Sequence, residues 1–300
     1  MNELITSWIN VEDIRLLLDP TAVIFLGVVI IVLFLGKLIN DWCTSYDLNE
    51  ELTKKDNKAL AMSFMGYIFA IGIIIWGVLI SPVAVDKEVL PGSTLWSQLM
   101  ATAIWAIIGI LLLQLARVIN DRLLLYKFRN VKEIIEDQNV GTGVVQGSAY
   151  IGSGLVIMAA LHGEGSGSPV VEAVSTLVYF AAGQLAFILF GLIYSKVSRY
   201  DLHEEIEKDN VAAGVGFGMT MIAVGVLMCG YILQNASLTG LLVWFLISCF
   251  LLLVCRYLID KIILPGTLLD EEISKDRNWG AALVEGISAI SLALILIAIF

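Results

Sequence analysis

The chain has 300 residues, of which 58% are hydrophobic and only 15% charged; a soluble globular domain carries about 25% charged residues. Its apolar residues come in unbroken blocks of about twenty, enough to cross roughly 30 Å of hydrocarbon, rather than alternating with polar ones. An ordinary soluble domain is thereby excluded, and the net charge of −10 says less than where the charges sit.

Residues 1–20 carry Glu3, Glu12, Asp13 and Asp19 against the single Arg15, so this stretch lacks the basic start of a secretory signal. Trp8, Val11, Ile14 and Leu18 are spaced to share one face, which predicts a short interfacial helix. Eight spans follow: Thr21–Ile39, Ala59–Val83, Leu95–Ile119, Gly141–Leu161, Val174–Tyr194, Val211–Leu233, Leu238–Leu258 and Trp279–Phe300. They are expected as helices because backbone groups in lipid must bond within their own segment. The connections after the odd spans are longer and charged; those after the even spans are short, such as Gln234–Ser237.

The long connections and their flanks hold 16 of the 18 Lys and Arg residues. These are Lys37, Lys54, Lys55 and Lys58; Arg117, Arg122, Lys127, Arg129 and Lys132; Lys196, Arg199 and Lys208; and Arg256, Lys261, Lys275 and Arg277. The positive-inside rule then predicts cytoplasmic long connections and both termini outside.

Those connections also end alike. Tyr46-Asp47-Leu48-Asn49-Glu50-Glu51-Leu52 precedes Asp56-Asn57, and Tyr200-Asp201-Leu202-His203-Glu204-Glu205-Ile206 precedes Asp209-Asn210. Leu269-Asp270-Glu271-Glu272-Ile273 precedes Asn278, and a looser Glu133-Ile134-Ile135-Glu136-Asp137 precedes Asn139. The predicted fold is therefore an all-α polytopic bundle of four parallel two-helix repeats. Numbered from each Asn, small residues recur in the even spans: Ala61, Gly143, Gly214 and Ala282; then Gly147, Gly218 and Gly286, with Met65 in the first unit; then Gly72, Gly154, Gly225 and Ala293. At 100° per residue these positions form one stripe, which suits close helix packing. The bulkier odd spans are expected to face lipid. Seven residues past the Asn stand Phe64 and Phe217 in the odd units, but Gln146 and Glu285 in the even ones. This divides the chain into similar halves, 1–165 and 166–300.

The acidic-x-Asn-x-small-x-small signature is carried by Asp56-Asn57-Lys58-Ala59-Leu60-Ala61 and Asp209-Asn210-Val211-Ala212-Ala213-Gly214. Gln138-Asn139-Val140-Gly141 and Asn278-Trp279-Gly280-Ala281-Ala282 are variants of it. In this the chain resembles the bacterial inner-membrane family known as domain of unknown function 350. The resemblance implies four spans per copy, two copies here, a bacterial inner-membrane location and a link to envelope stress. It carries over no catalytic residue.

Glu285 is the foremost candidate site, because a carboxylate costs about 2.5 kcal/mol or more at the centre of a span and such groups usually face a cavity or a partner. It is expected to act with Gln146 as a proton or cation site, or to be a protonated structural group. Asn57, Asn139, Asn210 and Asn278 are expected helix caps, with helix ends that could orient a polar ligand as the sharper reading. The acidic clusters are expected to be solvated, Gln114 and Gln184 to bond between helices, and His162 and His203 to lie at the surface. Cys43, Cys229, Cys249 and Cys255 form no CxxC pair, so neither disulfide nor metal is expected. No cofactor and no nucleic-acid partner is expected, and no catalytic constellation is visible. Beyond the lipid bilayer, the expected partners are further copies of the chain, or other membrane or cytoplasmic proteins.

The leading functional expectation is a pathway for a small cation or polar solute lined by the even spans. The rival is a scaffold or sensor that recruits cytoplasmic partners through its acidic connections.

Overall fold

The computed structural model describes residues 19–81, 94–162, 168–234 and 237–300. The predicted interfacial face of Trp8, Val11, Ile14 and Leu18 lies outside them, as does the boundary at residue 165. Among the described residues all regular structure is helical. Eight helices among these residues are long and apolar enough to cross a membrane: α1 (Pro20–Cys43), α3 (Lys58–Ile80), α4 (Leu95–Leu123), α6 (Val140–Leu161), α7 (Pro169–Val197), α9 (Val211–Gln234), α10 (Leu238–Leu258) and α12 (Trp279–Ile299). The odd spans run past their predicted ends at the connection side, and a π-helical turn, Ile259–Ile263, continues α10.

Four shorter helices were not anticipated: α2 (Leu48–Thr53), α5 (Asn130–Ile135), α8 (Leu202–Glu207) and α11 (Leu269–Ser274). Each is built from one of the acidic stretches. Asp47 starts α2 by accepting the Glu50 amide at 2.9 Å, and Asp201 starts α8 by accepting those of His203 and Glu204. Such caps satisfy amides that a helix start leaves orphaned. Their apolar positions, Leu48, Ile134, Leu202, Ile206, Leu269 and Ile273, are buried. Two or three residues past each short helix stands a left-handed residue, Asp56, Gln138, Asp209 or Arg277, at φ 48–55°. That conformation costs a non-glycine residue roughly 1–2 kcal/mol, and it turns the chain into the next span.

The Asn that follows is where the turn is secured. Asn57, Asn139, Asn210 and Asn278 accept the backbone amides of Leu60, Thr142, Ala213 and Ala281 at 3.0, 2.8, 3.3 and 3.1 Å. Each side-chain amide also donates to the glutamate of its own short helix: Glu51, Glu133, Glu205 or Glu272, at 2.8–3.0 Å. Glu51 and Glu133 are buried for this reason, so the acidic stretches are only partly solvated. Burial pushes the Glu51 carboxyl up, but the hydrogen bonds from Asn57 and Lys55 outweigh it and leave the group below its usual range. At Glu133 burial prevails over the Asn139 bond and the group stays above that range.

Helices α3, α6, α9 and α12 form a row in that order, and the odd spans lie along its flanks. Of the apolar stretches of α6 and α9, 78% of residues are buried, against 11% in α1, so the middle of the row is the core. The stripes of α6 and α9 meet chiefly the backbone of the helix before them, and Gly286 of α12 meets a side chain of α9. A Cβ added to Gly225 would lie 2.6 Å from the Gly152 Cα, and one added to Gly154 would lie 2.8 Å from the Ala70 Cβ. Gly143 and Gly147 abut Ala59 and Met62, Gly214 and Gly218 abut Gly141 and Ser148, and Gly286 abuts Met219. Lipid tails are as apolar as leucine, so such van der Waals contact is what holds spans together. Gly72 has no such neighbour.

Gln184 bonds Ser153 of α6 at 3.3 Å, as an interhelical amide should, while Gln114 is buried beside the Tyr67 hydroxyl. His203 departs from expectation: it is buried, its Nε2 lies 3.0 Å from the Leu124 carbonyl, and its ring lies against Tyr126. The short helix α8, invisible as a helix in the sequence, carries it inward. All four cysteines are free thiols.

Candidate functional site

Each half of the chain places one charged cluster near the connection end of its spans, and both are assembled from the same parts. An even-unit odd span ends in Arg-x-x-x-Asp: Arg117 and Asp121 in α4, Arg256 and Asp260 across the end of α10. The following even span supplies the residue seven past its Asn, Gln146 in α6 or Glu285 in α12. The span before it in the row supplies a small residue opposite, Ser63 of α3 or Gly216 of α9. Finally a tyrosine from the preceding connection, Tyr46 or Tyr200, lies close to the arginine. Burial pushes both phenols up, that of Tyr200 to about 12.

In the second half the cluster is closed. Glu285, 2% exposed, forms an ion pair with Arg256 and accepts the Tyr194 hydroxyl at 3.3 Å. Arg256 also donates to the Tyr194 oxygen at 2.9 Å and to Asp270 at 2.6 Å, and its guanidinium sits 5.0 Å from the centre of the Tyr194 ring. A Cβ on Gly216 would come within 2.9 Å of Glu285 Oε2, so the carboxylate fits because that position is glycine. Asp260 instead accepts the Leu269 amide at 2.8 Å and fixes the turn into α11.

The first-half cluster is more open. Gln146 donates to Asp121 Oδ1 at 2.9 Å, and the same oxygen takes the Asn130 amide at 2.8 Å. Ser63 donates to the Gln146 carbonyl. Arg117 lies near Asp121 and Tyr150, and its guanidinium donates to the Cys43 carbonyl at 2.9 Å instead of closing on a carboxylate. A narrow crevice with room for about one water molecule runs between α4 and α6, lined by Arg117, Asn120, Asp121, Gln146, Tyr150 and Ser153 among others. Two buried acceptors near it, Asn120 Oδ1 and Asn130 Oδ1, have no hydrogen-bond donor.

Glu285 and Gln146 thus occupy equivalent places in separate clusters: the partners of Gln146 lie on α3 and α4, those of Glu285 on α7 and α10. Sequence reading missed Arg117 and Arg256 as members because they were counted as charges of the connections, and it did not single out Asp121. Their signal is the four-residue spacing at the ends of equivalent spans, which puts both groups on one helix face. No group of His, Cys, Asp or Glu among the described residues could hold a metal ion.

No solved structure matches this chain. Among curated proteins it is similar to the UPF0719 transmembrane protein of Aquifex aeolicus (strain VF5), 22% identical over 258 residues, 84% of this chain and 89% of the relative. It is also similar to the UPF0719 transmembrane protein YshE of Bacillus subtilis (strain 168), 25% identical over 127 residues, which is 93% of that relative but 42% of this chain. With eight spanning helices and transmembrane relatives, the chain is a multi-pass membrane protein. The family model described as Domain of Unknown Function (DUF350) matches residues 10–161 and again 168–300, and the chain belongs to that family as a tandem-duplicated member.

Proposed function

We propose that this protein provides a route through the bacterial inner membrane for a small cation or polar solute, with its long connections cytoplasmic. The route begins at the crevice between α4 and α6, past Arg117, Asp121 and Gln146. The observation that carries this reading is the set of oxygen acceptors there: the hydrogen bonds Asp121 accepts come from the neutral amides of Asn130 and Gln146, with Arg117 nearby but bonded elsewhere, and Asn120 Oδ1 and Asn130 Oδ1 are buried without donors. Buried acceptors without donors are costly in a membrane unless water or a cation supplies the missing partner. We place the route beside α6 rather than between the even spans, because their small faces lie in close contact. The Arg256–Glu285–Asp270 cluster has its charges satisfied internally and serves to hold α10 against α12.

Purified protein in proteoliposomes tests this with protons, K⁺, Na⁺, spermidine and glycerol as probes. The wild type should pass at least one of them, and Asp121→Asn should cut that flux severalfold while eluting as a folded species. Absence of flux for every probe, or flux unchanged in Asp121→Asn, defeats the reading and leaves the scaffold.

A further inference from the structure

The four units are joined by one interface used three times, and its two unused halves stand at opposite ends of the row. The Asn57 amide donates to the carbonyl of Ile134 in the next unit at 2.9 Å; Asn139 donates to Ile206 at 2.7 Å and Asn210 to Ile273 at 2.8 Å. These bonds reach from each unit to the short helix of its successor. Asn57, Asn139 and Asn210 are at most 1% exposed as a result. Among the described residues no short helix follows Asn278: its amide meets only Glu272, and the residue is exposed. Leu52, which occupies the place of Ile134, Ile206 and Ile273, receives no asparagine donor.

Side-chain packing repeats the same asymmetry. The third small position of one unit meets the residue thirteen past the Asn of the unit before, Gly154 on Ala70 and Gly225 on Gly152. The equivalent residues left over are Gly72 on α3 and Ser291 on α12, and both are exposed. Around Gly72 the open face continues through Ala61, Met65, Phe69 and Trp76, the last three 53–60% exposed. Around Ser291 it continues through Gly280, Ile287 and Leu294. The residues before the Asn at the two free ends, Arg277 and Asp56, carry opposite charges, in the reverse order of Asp209 and Arg277 where the third unit meets the fourth. Met65 is the exception, a bulky residue where the later units have glycine, so contact at that level would be looser; methionine is flexible enough to fill it.

We propose that a second copy of this chain docks head to tail, the α3 face of one on the α12 face of the other, with Asn278 of the first donating to the Leu52 carbonyl of the second. Such an interface is heterologous, and in a membrane it repeats about an axis along the bilayer normal, giving a ring where the rotation closes. The proposal continues an interface present three times within one chain and does not depend on what the protein transports.

The test co-expresses two differently tagged chains in a cysteine-free background, one with Gly72→Cys and the other with Ser291→Cys. Oxidation in native membranes should give a disulfide-linked species carrying both tags. Chains with lipid-facing cysteines at Phe34 and Phe250, each more than 60% exposed, should not link. Native mass spectrometry of the wild type should show a discrete oligomer, and Gly72→Trp should dissociate it to a folded monomer. A monomeric wild type in lipid nanodiscs, linkage no greater than the Phe34/Phe250 control, or an oligomer indifferent to Gly72→Trp would overturn the proposal.

Discussion

Replacing Asn139 by alanine and comparing it with the same change at Asn278 separates helix capping from the joining of units. Both residues cap a span, and losing a cap costs about 1 kcal/mol. Asn139 does two further things. Its amide bonds the buried Glu133 at 3.0 Å and the Ile206 carbonyl of the next unit at 2.7 Å. Alanine would leave the Glu133 carboxylate buried without that donor, at about 1–3 kcal/mol, and would remove the bond between units to the Ile206 carbonyl, which keeps the Asp209 amide at 3.0 Å. The expected total is on the order of 2–4 kcal/mol for Asn139→Ala. Asn278 is exposed and its remaining partner, Glu272, can turn to water, so Asn278→Ala should cost no more than about 1 kcal/mol in a monomer. Reversible unfolding by SDS in mixed micelles measures both. A third variant, Asn139→Asp, keeps the capping oxygen but sets a carboxylate against Glu133 and the Ile206 carbonyl; it should be at least as unstable as the alanine variant. Equal losses at positions 139 and 278, or an aspartate that restores stability, would show that the bonds between units contribute nothing and that capping explains the four asparagines.

Arg256→Met should destabilise by about 3–5 kcal/mol, because it strands the buried carboxylate of Glu285 and unpairs the half-buried Asp270; the same unfolding assay should show Arg256→Met with Glu285→Gln recovering much of the loss, and an additive double variant would contradict the pairing. His203 is held neutral, since burial lowers its pKa and nearby Lys127 adds to the effect against the bond to Leu124. The unfolded chain therefore takes up the proton first: the stability from this group is complete above about pH 6.5 and falls as pH drops below it. Thermal melts at pH 7.5 and pH 5 should show a larger acid loss in the wild type than in His203→Gln, and equal losses would refute the assignment.

The membrane assignment and the eight spans were legible in the sequence because both depend on local composition: a block of apolar residues long enough for the bilayer has to be a helix whatever surrounds it. The stripe of small residues was legible for a similar reason, since a spacing of whole helical turns appears in a single segment. Glu285 drew attention as a charge within a span, but its counterion did not. Arg256 lies 29 residues earlier in the chain, and only the folding of α10 against α12 brings the two together. The equivalence of Arg117-x-x-x-Asp121 with Arg256-x-x-x-Asp260 was present in the letters; which of the two acids turns inward was not.

What the sequence determined by itself was the solvent and the periodicity: where the chain must be helical, and which face of each even span is narrow enough for another backbone to approach. Only the tertiary structure decided what fills those faces. The acidic stretches became helices because burial of Leu48, Ile134, Ile206 and Ile273 against neighbouring units outweighed their weak local preference, as six residues are too few to form a helix without packing. Likewise each asparagine could be read as a cap from its position, but its bond to the following unit joins residues 63–77 apart in the chain, and no local pattern specifies a partner at that distance.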